Sequence, residues 1–306
     1  MAAVFVPPGT EHWMWLAQWR PDPWAVVPML LAGWIYLAGA RRLARGNSPW
    51  PLARTAWFFA GLAALSLALV SPIDAFADAS FSIHMVQHLA LTLLAPPLIA
   101  LGAPITLALR AASPEVRRRF LVPALHSRFA TLLAKPVVGW LLFVCVPVAI
   151  HVTPVFDLAL RNNFVHAVEH LVWVSSALIY WWPIVGRDPS PRSMSYPARL
   201  LSLFLAMPAA SFLALALYSA RAPLYPSYAA LPPPWGSHVL ADQQAAAVTM
   251  WLVGNLALVL AMLIVAAAWK RHDDARQLRI ESRLDAQVVE PTYADPNSSP
   301  SAHRSR

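Results

Sequence analysis

Long apolar runs, each closed by a short polar stretch, repeat along this chain of 306 residues. The first extends from Trp24 to Ala40 and stops at Arg41 and Arg42; the second covers Ala53 to Val70 and ends in the acidic loop SPIDAFADAS. A third begins near Phe81 and is unusually long, with Pro96, Pro97 and Pro104 inside or just beyond it. Proline removes a helical hydrogen bond, so a kink or a broken end is expected there. Four more runs cover Pro136 to Val152, Phe164 to Val185, Leu200 to Tyr218 and Asp242 to Trp269. Each has roughly the length of about 20 helical residues that a hydrocarbon core about 30 Å thick requires. The pattern predicts an all-α polytopic membrane protein with seven transmembrane helices over residues 24–269. Residues 1–23, with Trp13, Trp15 and Trp19 beside Pro7, Pro8, Pro21 and Pro23, read as an extracytoplasmic interfacial segment. Residues 270–306 are charged, then Ser- and Pro-rich, and read as a disordered tail.

Composition sharpens this picture. Hydrophobic residues make up 58% of the chain and charged ones only 12%, too apolar for an ordinary soluble domain. A net charge of +8 would raise the question of nucleic acid in a soluble protein, but here the charges sit in short loops and set orientation instead. The loops after the first, third and fifth runs, with Arg54 at the head of the second run, hold 13 Lys/Arg, against 3 in the N-terminal segment and the other loops. By the positive-inside rule the N-terminus lies outside and the C-terminus is cytoplasmic. A single cysteine, Cys145, excludes an internal disulfide or a CxxC thiolate site and reads as packing. Any metal must be held by nitrogen, oxygen or thioether.

Two histidine pairs stand out. His84 and His88 in HMVQH, and His166 and His170 in HAVEH, are each spaced i, i+4 in the first turns of helices descending from the same surface. On a helix such a pair shares one face and can chelate one ion. Glu169 lies within the second pair, placed to bind metal or to accept the second N–H of a ligating imidazole. His151 and Asp242 sit at matching depth on the outer ends of the fourth and seventh runs, as do Asp74 and Asp78 at the second and third, which are alternatively loop caps, with Asp78 or Ser80 starting the third helix. Ionisable groups in spanning helices default to functional candidates. The alternative for any one histidine is an interfacial residue bonded to a neighbouring helix. Met85 and Met250 are thioether candidates or filler, His12 and His238 lie in loop segments, and Trp181-Trp182-Pro183 reads as an aromatic belt. Imidazole suits copper, zinc, nickel and iron; affinity order and the cysteine-free, outward-facing site favour copper, with zinc open.

Three segments in order, HMVQHLALTLLAPPLIALGAP, HAVEHLVWVSSALIYWWPIVG and ADQQAAAVTMWLVGN, resemble the CtaG family of multi-spanning cytochrome c oxidase assembly factors. The resemblance runs from about Trp24 to Trp269. It implies a seven-helix protein of the bacterial inner membrane that helps to mature a haem-copper oxidase by supplying copper. The implied partners are an oxidase subunit and copper chaperones. The residues it marks are His84, His88, His166, His170 and Asp242. Ala245, Ala246 and Ala247 replace glycines expected after DQQ. Two other functions compete with a non-enzymatic copper carrier: a zinc-dependent seven-helix membrane hydrolase with Glu169 as general base, and a haem-binding membrane protein with paired axial histidines.

Overall fold

The structure, a computed structural model, describes residues 18–190, 193–230 and 238–289, with side chains as far as 284. The chain divides into two units after Met262. The expectation for the N-terminal interfacial segment falls mostly on residues outside the described ones.

Helix α1 (Pro23–Arg45) starts where the Asp22 carboxylate accepts the Trp24 amide at 3.0 Å, with proline in the first turn, where its missing N–H costs nothing. Helix α2 (Leu52–Leu69) leads into the short α3 (Pro72–Ala77), capped by the Ser71 hydroxyl, which accepts from the Ile73 amide and donates to the Leu67 carbonyl. The third run is broken, as its prolines predict, but the first break precedes them. Helix α4 (Phe81–Leu89) passes into a π-helical turn (Ala90–Leu94) before α5 (Ala95–Leu101). Side chains hold that turn: Thr92 Oγ1 donates to the His88 carbonyl at 2.7 Å, and Trp181 Nε1 donates to the Thr92 carbonyl at 2.8 Å. Trp181 is therefore an interior brace, 4% exposed, where the sequence suggests an aromatic belt. Ala103, left-handed at φ 51°, then turns the chain into α6 (Pro104–Ala111). The first free amides of α6, Ile105 and Thr106, donate to Asp188 at 3.1 and 2.7 Å.

Short helical turns fill residues 114–133. Helix α7 (Pro136–Val152) meets α8 (Val155–Arg161) at a 72° bend, and α9 (Asn163–Val185) is capped by Asn162. Helix α10 (Tyr196–Ser219), the single turn α11 (Pro226–Ala229) and the long α12 (Val239–Val289) complete the order. Helix α12 continues through Lys270 to Val289 with exposed side chains as far as Leu284, so this part of the second unit is helical where the sequence suggests a disordered tail.

All seven apolar runs are helical. Five helical stretches, Pro23–Arg45, Leu52–Ala77, Phe81–Ala111, Tyr196–Ser219 and Val239–Leu284, are long and apolar enough to cross a membrane, and the bent α7 and α8 make a sixth if counted as one span. Helix α9 has the length, 23 residues, but fails that test of apolarity because His166, Glu169 and His170 occupy its first turns. In the first unit, large apolar side chains such as Trp24, Trp34, Leu52 and Phe212 are at least 68% exposed while His84, Gln87 and His88 are buried. Such an apolar exterior suits lipid rather than water.

Helix α2 packs against α5 through Gly61, where an added Cβ would meet Ile99 Cγ1 at 2.6 Å and its amide nitrogen at 2.8 Å. Helix α9 packs against both α5 and α7. That brings the first turns of α9 beside α4.

Candidate metal centre

The head of α4 carries the first histidine pair on its inward face. His84 and His88 are 0% and 1% exposed, with their Nε2 atoms 2.9 Å apart. Tyr228, on the single turn α11, donates to the Ala77 carbonyl at 2.6 Å, and its oxygen lies 2.7 Å from His84 Nδ1. Burial, then the nearby Asp78, Asp242 and Glu169 carboxylates, push the tyrosine's pKa well above its usual range, so the phenol keeps its proton. That proton is committed to Ala77, so the phenol accepts from His84. The shared proton therefore sits on His84 Nδ1, leaving Nε2 as a bare lone pair. His151 follows the same logic: its Nδ1 lies 2.9 Å from the Pro147 carbonyl, which can only accept, so its Nε2 is bare.

Helix α9 supplies the second pair. The rings of His166 and His170 lie 4.2 Å apart between centroids, His84 and His166 5.4 Å, His88 and His170 6.0 Å, and His88 and His151 6.1 Å. His84, His166 and His170 each offer a nitrogen, all within 4.8 Å of one another. Glu169, 4% exposed, holds its Oε1 3.8 Å from His88 Nε2 and accepts Trp173 Nε1 at 3.2 Å. Trp173, one turn further along α9, also packs its ring 4.4 Å from His88.

This donor set can be tested for fit to a cation. His88 Nδ1, His151 Nε2, His166 Nε2, His170 Nε2 and Glu169 Oε2 are all buried without a hydrogen-bond partner. Buried polar atoms are nearly always paired, because leaving one unpaired costs about 1–3 kcal/mol. Two of the five belong to His166 and His170, which with His84 form the group whose nitrogens lie within 4.8 Å of one another, and there a cation would satisfy them. Imidazoles with a carboxylate and no thiolate suit borderline metals such as copper and zinc.

The other residues singled out in the sequence fall elsewhere. Asp242 does not face the histidines but caps α4: its Oδ2 accepts the Phe81 amide at 2.7 Å, and its Oδ1 accepts the Ser80 and Ser82 hydroxyls at 3.0 and 2.5 Å. An oxygen pair so occupied has little left for a metal. Ser80 is the N-cap residue of α4, with its hydroxyl 3.5 Å from the Ile83 amide. Asp74 accepts Gln87 Nε2 at 2.9 Å, and Asp78 pairs with Arg20 at 3.1 Å. Met85 and Met250 are buried in the apolar cluster beside the site, with Ala246 and Ala247, whose small side chains are 0% and 1% exposed where glycines were expected. Cys145 is exposed rather than packed, and His238 is exposed. Tyr228, Trp173 and Phe156, the last packed 5.1 Å from His84 and 5.0 Å from His151, are parts of the site that sequence reasoning missed. For Trp173 a signal was there, the i, i+4 spacing from Glu169; Tyr228 lies in a loop without periodicity.

Over residues 34–272 the chain matches the family described as cytochrome c oxidase caa3 assembly factor. It is 32% identical over 287 residues to an uncharacterized protein of Mycobacterium bovis and to one of Mycobacterium tuberculosis, and 31% identical over 284 residues to one of Mycobacterium leprae. These alignments cover 92%, 92% and 90% of the chain. The chain spans only about two fifths of the length of these curated relatives, 43%, 43% and 42%. No solved structure matches.

Proposed function

The chain belongs to the cytochrome c oxidase caa3 assembly factor family, and on that premise we propose that it binds copper in its histidine cluster and helps to deliver it to a haem-copper oxidase. The observation that carries the reading is the set of five buried, unpartnered ligand atoms at the meeting of α4, α7 and α9. His84, His166 and His170 form the primary ligand set, with His88, His151 and Glu169 close enough to exchange with them. Copper is cargo here: bound, it satisfies the orphaned nitrogens, and it leaves by ligand exchange without turnover of a substrate. Tyr228 and the Pro147 carbonyl hold His84 and His151 in the tautomers that present Nε2. Asp242 fixes the head of α4, and with it His84 and His88, against α12.

The protein is a multi-pass protein of the bacterial inner membrane with seven spans, its N-terminus outside. On this reading α9 is the seventh span, tolerated in lipid because its polar groups face the bundle. The recipient is an oxidase subunit, and copper chaperones are the candidate donors.

Metal content by mass spectrometry on protein purified from cells given copper and zinc tests the reading. Near-stoichiometric copper, lost in both His84→Ala/His88→Ala and His166→Ala/His170→Ala variants, is the expected result. Zinc in its place would favour the hydrolase, and no metal in the wild type would overturn the carrier.

A further inference from the structure

The histidine cluster is buried, so a cation needs a route to it. A cavity of about 640 Å3 meets His166 and His170 on one wall and Arg20, Asp22, Asp74 and Asp78 on another. The His166 side of that cavity is polar and unsatisfied: the residue is 8% exposed, and its Nε2 has no partner. At the other wall the carboxylates differ in what holds them. Asp22 gives one oxygen to the Trp24 amide as the cap of α1, and Asp74 is tied to Gln87, which is itself anchored on the Ala68 carbonyl at 2.9 Å. Among the described residues the Asp78 carboxylate is held by Arg20 alone, at 3.1 Å, and both side chains are about a third exposed, Asp78 at 28% and Arg20 at 34%. Ion pairs with this much access to solvent are weak and exchange readily. Among the described residues Arg20 is the one Lys or Arg lining this cavity, beside the three carboxylates of Asp22, Asp74 and Asp78.

Resting on the copper-binding reading of the cluster, we infer that this cavity is the path by which a metal cation reaches the histidines, with Asp78 as the carboxylate that first captures it and Arg20 as the counter-ion it displaces. The exchange conserves charge: the arriving cation takes the place of the guanidinium, which swings to solvent. The cation then passes to His166 and His170, whose nitrogens are better ligands for copper than a single carboxylate. Until a cation arrives, the Arg20 and Asp78 pair keeps the carboxylate neutralised. Asp78 is therefore a positioning residue of uptake and not a ligand of the bound ion.

Uptake kinetics separate these roles. The full chain in detergent is mixed with copper(I) held by a coloured chelator, and transfer is followed by loss of colour for the wild type, Asp78→Asn, Arg20→Gln and His166→Ala/His170→Ala. Clefts lined by one sign of charge raise association rates by about 10- to 1,000-fold, so losing the capturing carboxylate should slow uptake by about tenfold. Final copper stoichiometry should stay at the wild-type value. Arg20→Gln should speed uptake several-fold at the same stoichiometry, and raised salt should narrow the spread among variants. The double histidine variant should take up no stoichiometric copper. Wild-type uptake rates in Asp78→Asn would overturn the route while leaving the cluster reading intact. A lower final stoichiometry in Asp78→Asn would also overturn it, since Asp78 would then be holding the ion. Absence of uptake by the wild type would sink the cluster reading and this inference with it.

Discussion

Replacing Asp242 distinguishes a structural cap from a metal ligand. Its carboxylate accepts from the Phe81 amide at 2.7 Å and from the Ser80 and Ser82 hydroxyls at 3.0 and 2.5 Å. Its loss leaves two hydroxyl protons to place: Ser80 and Ser82 lie 3.0 Å apart, so one can donate to the other, and the second must find another acceptor. The Phe81 amide has no such alternative; it is an orphan donor of the first turn, and leaving it buried and unpaired costs about 1–3 kcal/mol. Loss of a negative charge at the helix N-terminus adds about 0.3–1 kcal/mol, and up to about 2 kcal/mol in a partly buried setting. Asp242→Ala should therefore destabilise the protein by about 1–5 kcal/mol, the sum of these two effects. Asp242→Asn keeps one acceptor oxygen for Phe81 but loses the charge and the oxygen that accepts from the serine hydroxyls, which can turn to accept from the amide nitrogen; the charge alone costs about 0.3–2 kcal/mol. Reversible unfolding in mixed micelles measures both variants, and metal content measures the second consequence. The asparagine variant should retain wild-type copper stoichiometry under folding conditions. An alanine variant within about 0.5 kcal/mol of wild type, the range of ordinary surface substitutions, would refute the cap. Lost copper at intact stability would show Asp242 to be a ligand.

Two further substitutions probe the supports around the site. Tyr228→Phe removes the oxygen that accepts from His84 Nδ1 and frees the imidazole to change tautomer; copper affinity by chelator competition should fall about 10- to 100-fold, as for other partners of metal-ligating histidines, and an unchanged affinity would contradict the assignment. Gly61→Ala places a methyl 2.6 Å from Ile99 Cγ1 and 2.8 Å from its backbone nitrogen, so α2 and α5 must separate; a loss of about 1–3 kcal/mol is expected in the unfolding titration, and wild-type stability would mean the interface yields freely.

The helices were legible in the sequence because a run of apolar residues reports a dry environment directly, and the prolines after Leu94 announced a broken third run. The π-turn at Ala90–Leu94 was not legible, since it depends on Thr92 meeting Trp181 from α9, a contact with no local signature. The same limit applies at the site. An i, i+4 spacing is a property of one helix, so the two histidine pairs could be recognised separately, and their meeting at one depth followed from chain direction. Asp242 shows the converse: its acidity in an apolar run was visible, but whether it served an ion or a helix end depended on which face α4 turned toward it. Tyr228 sits in a single helical turn between α10 and α12, where neither period nor composition marks a partner for His84. Trp181 was misplaced for a related reason, since a tryptophan near a helix end reads alike whether it faces the membrane interface or the Thr92 carbonyl.

The bond from Asp242 to the head of α4 joins residues 161 positions apart, and that from Tyr228 to His84 joins residues 144 apart. During synthesis at about 5–20 residues per second, His84 and His88 emerge roughly 10–30 s before the groups that orient them. Through that interval the first pair stands on a helix whose leading amide is uncapped and whose His84 tautomer is undetermined. A ribosome-bound chain thus offers imidazoles without the finished cluster, which is complete only once the chain has been made past Asp242 in the first turn of α12. If the cluster carries copper as proposed, the order of translation delays capture until these distant groups are in place.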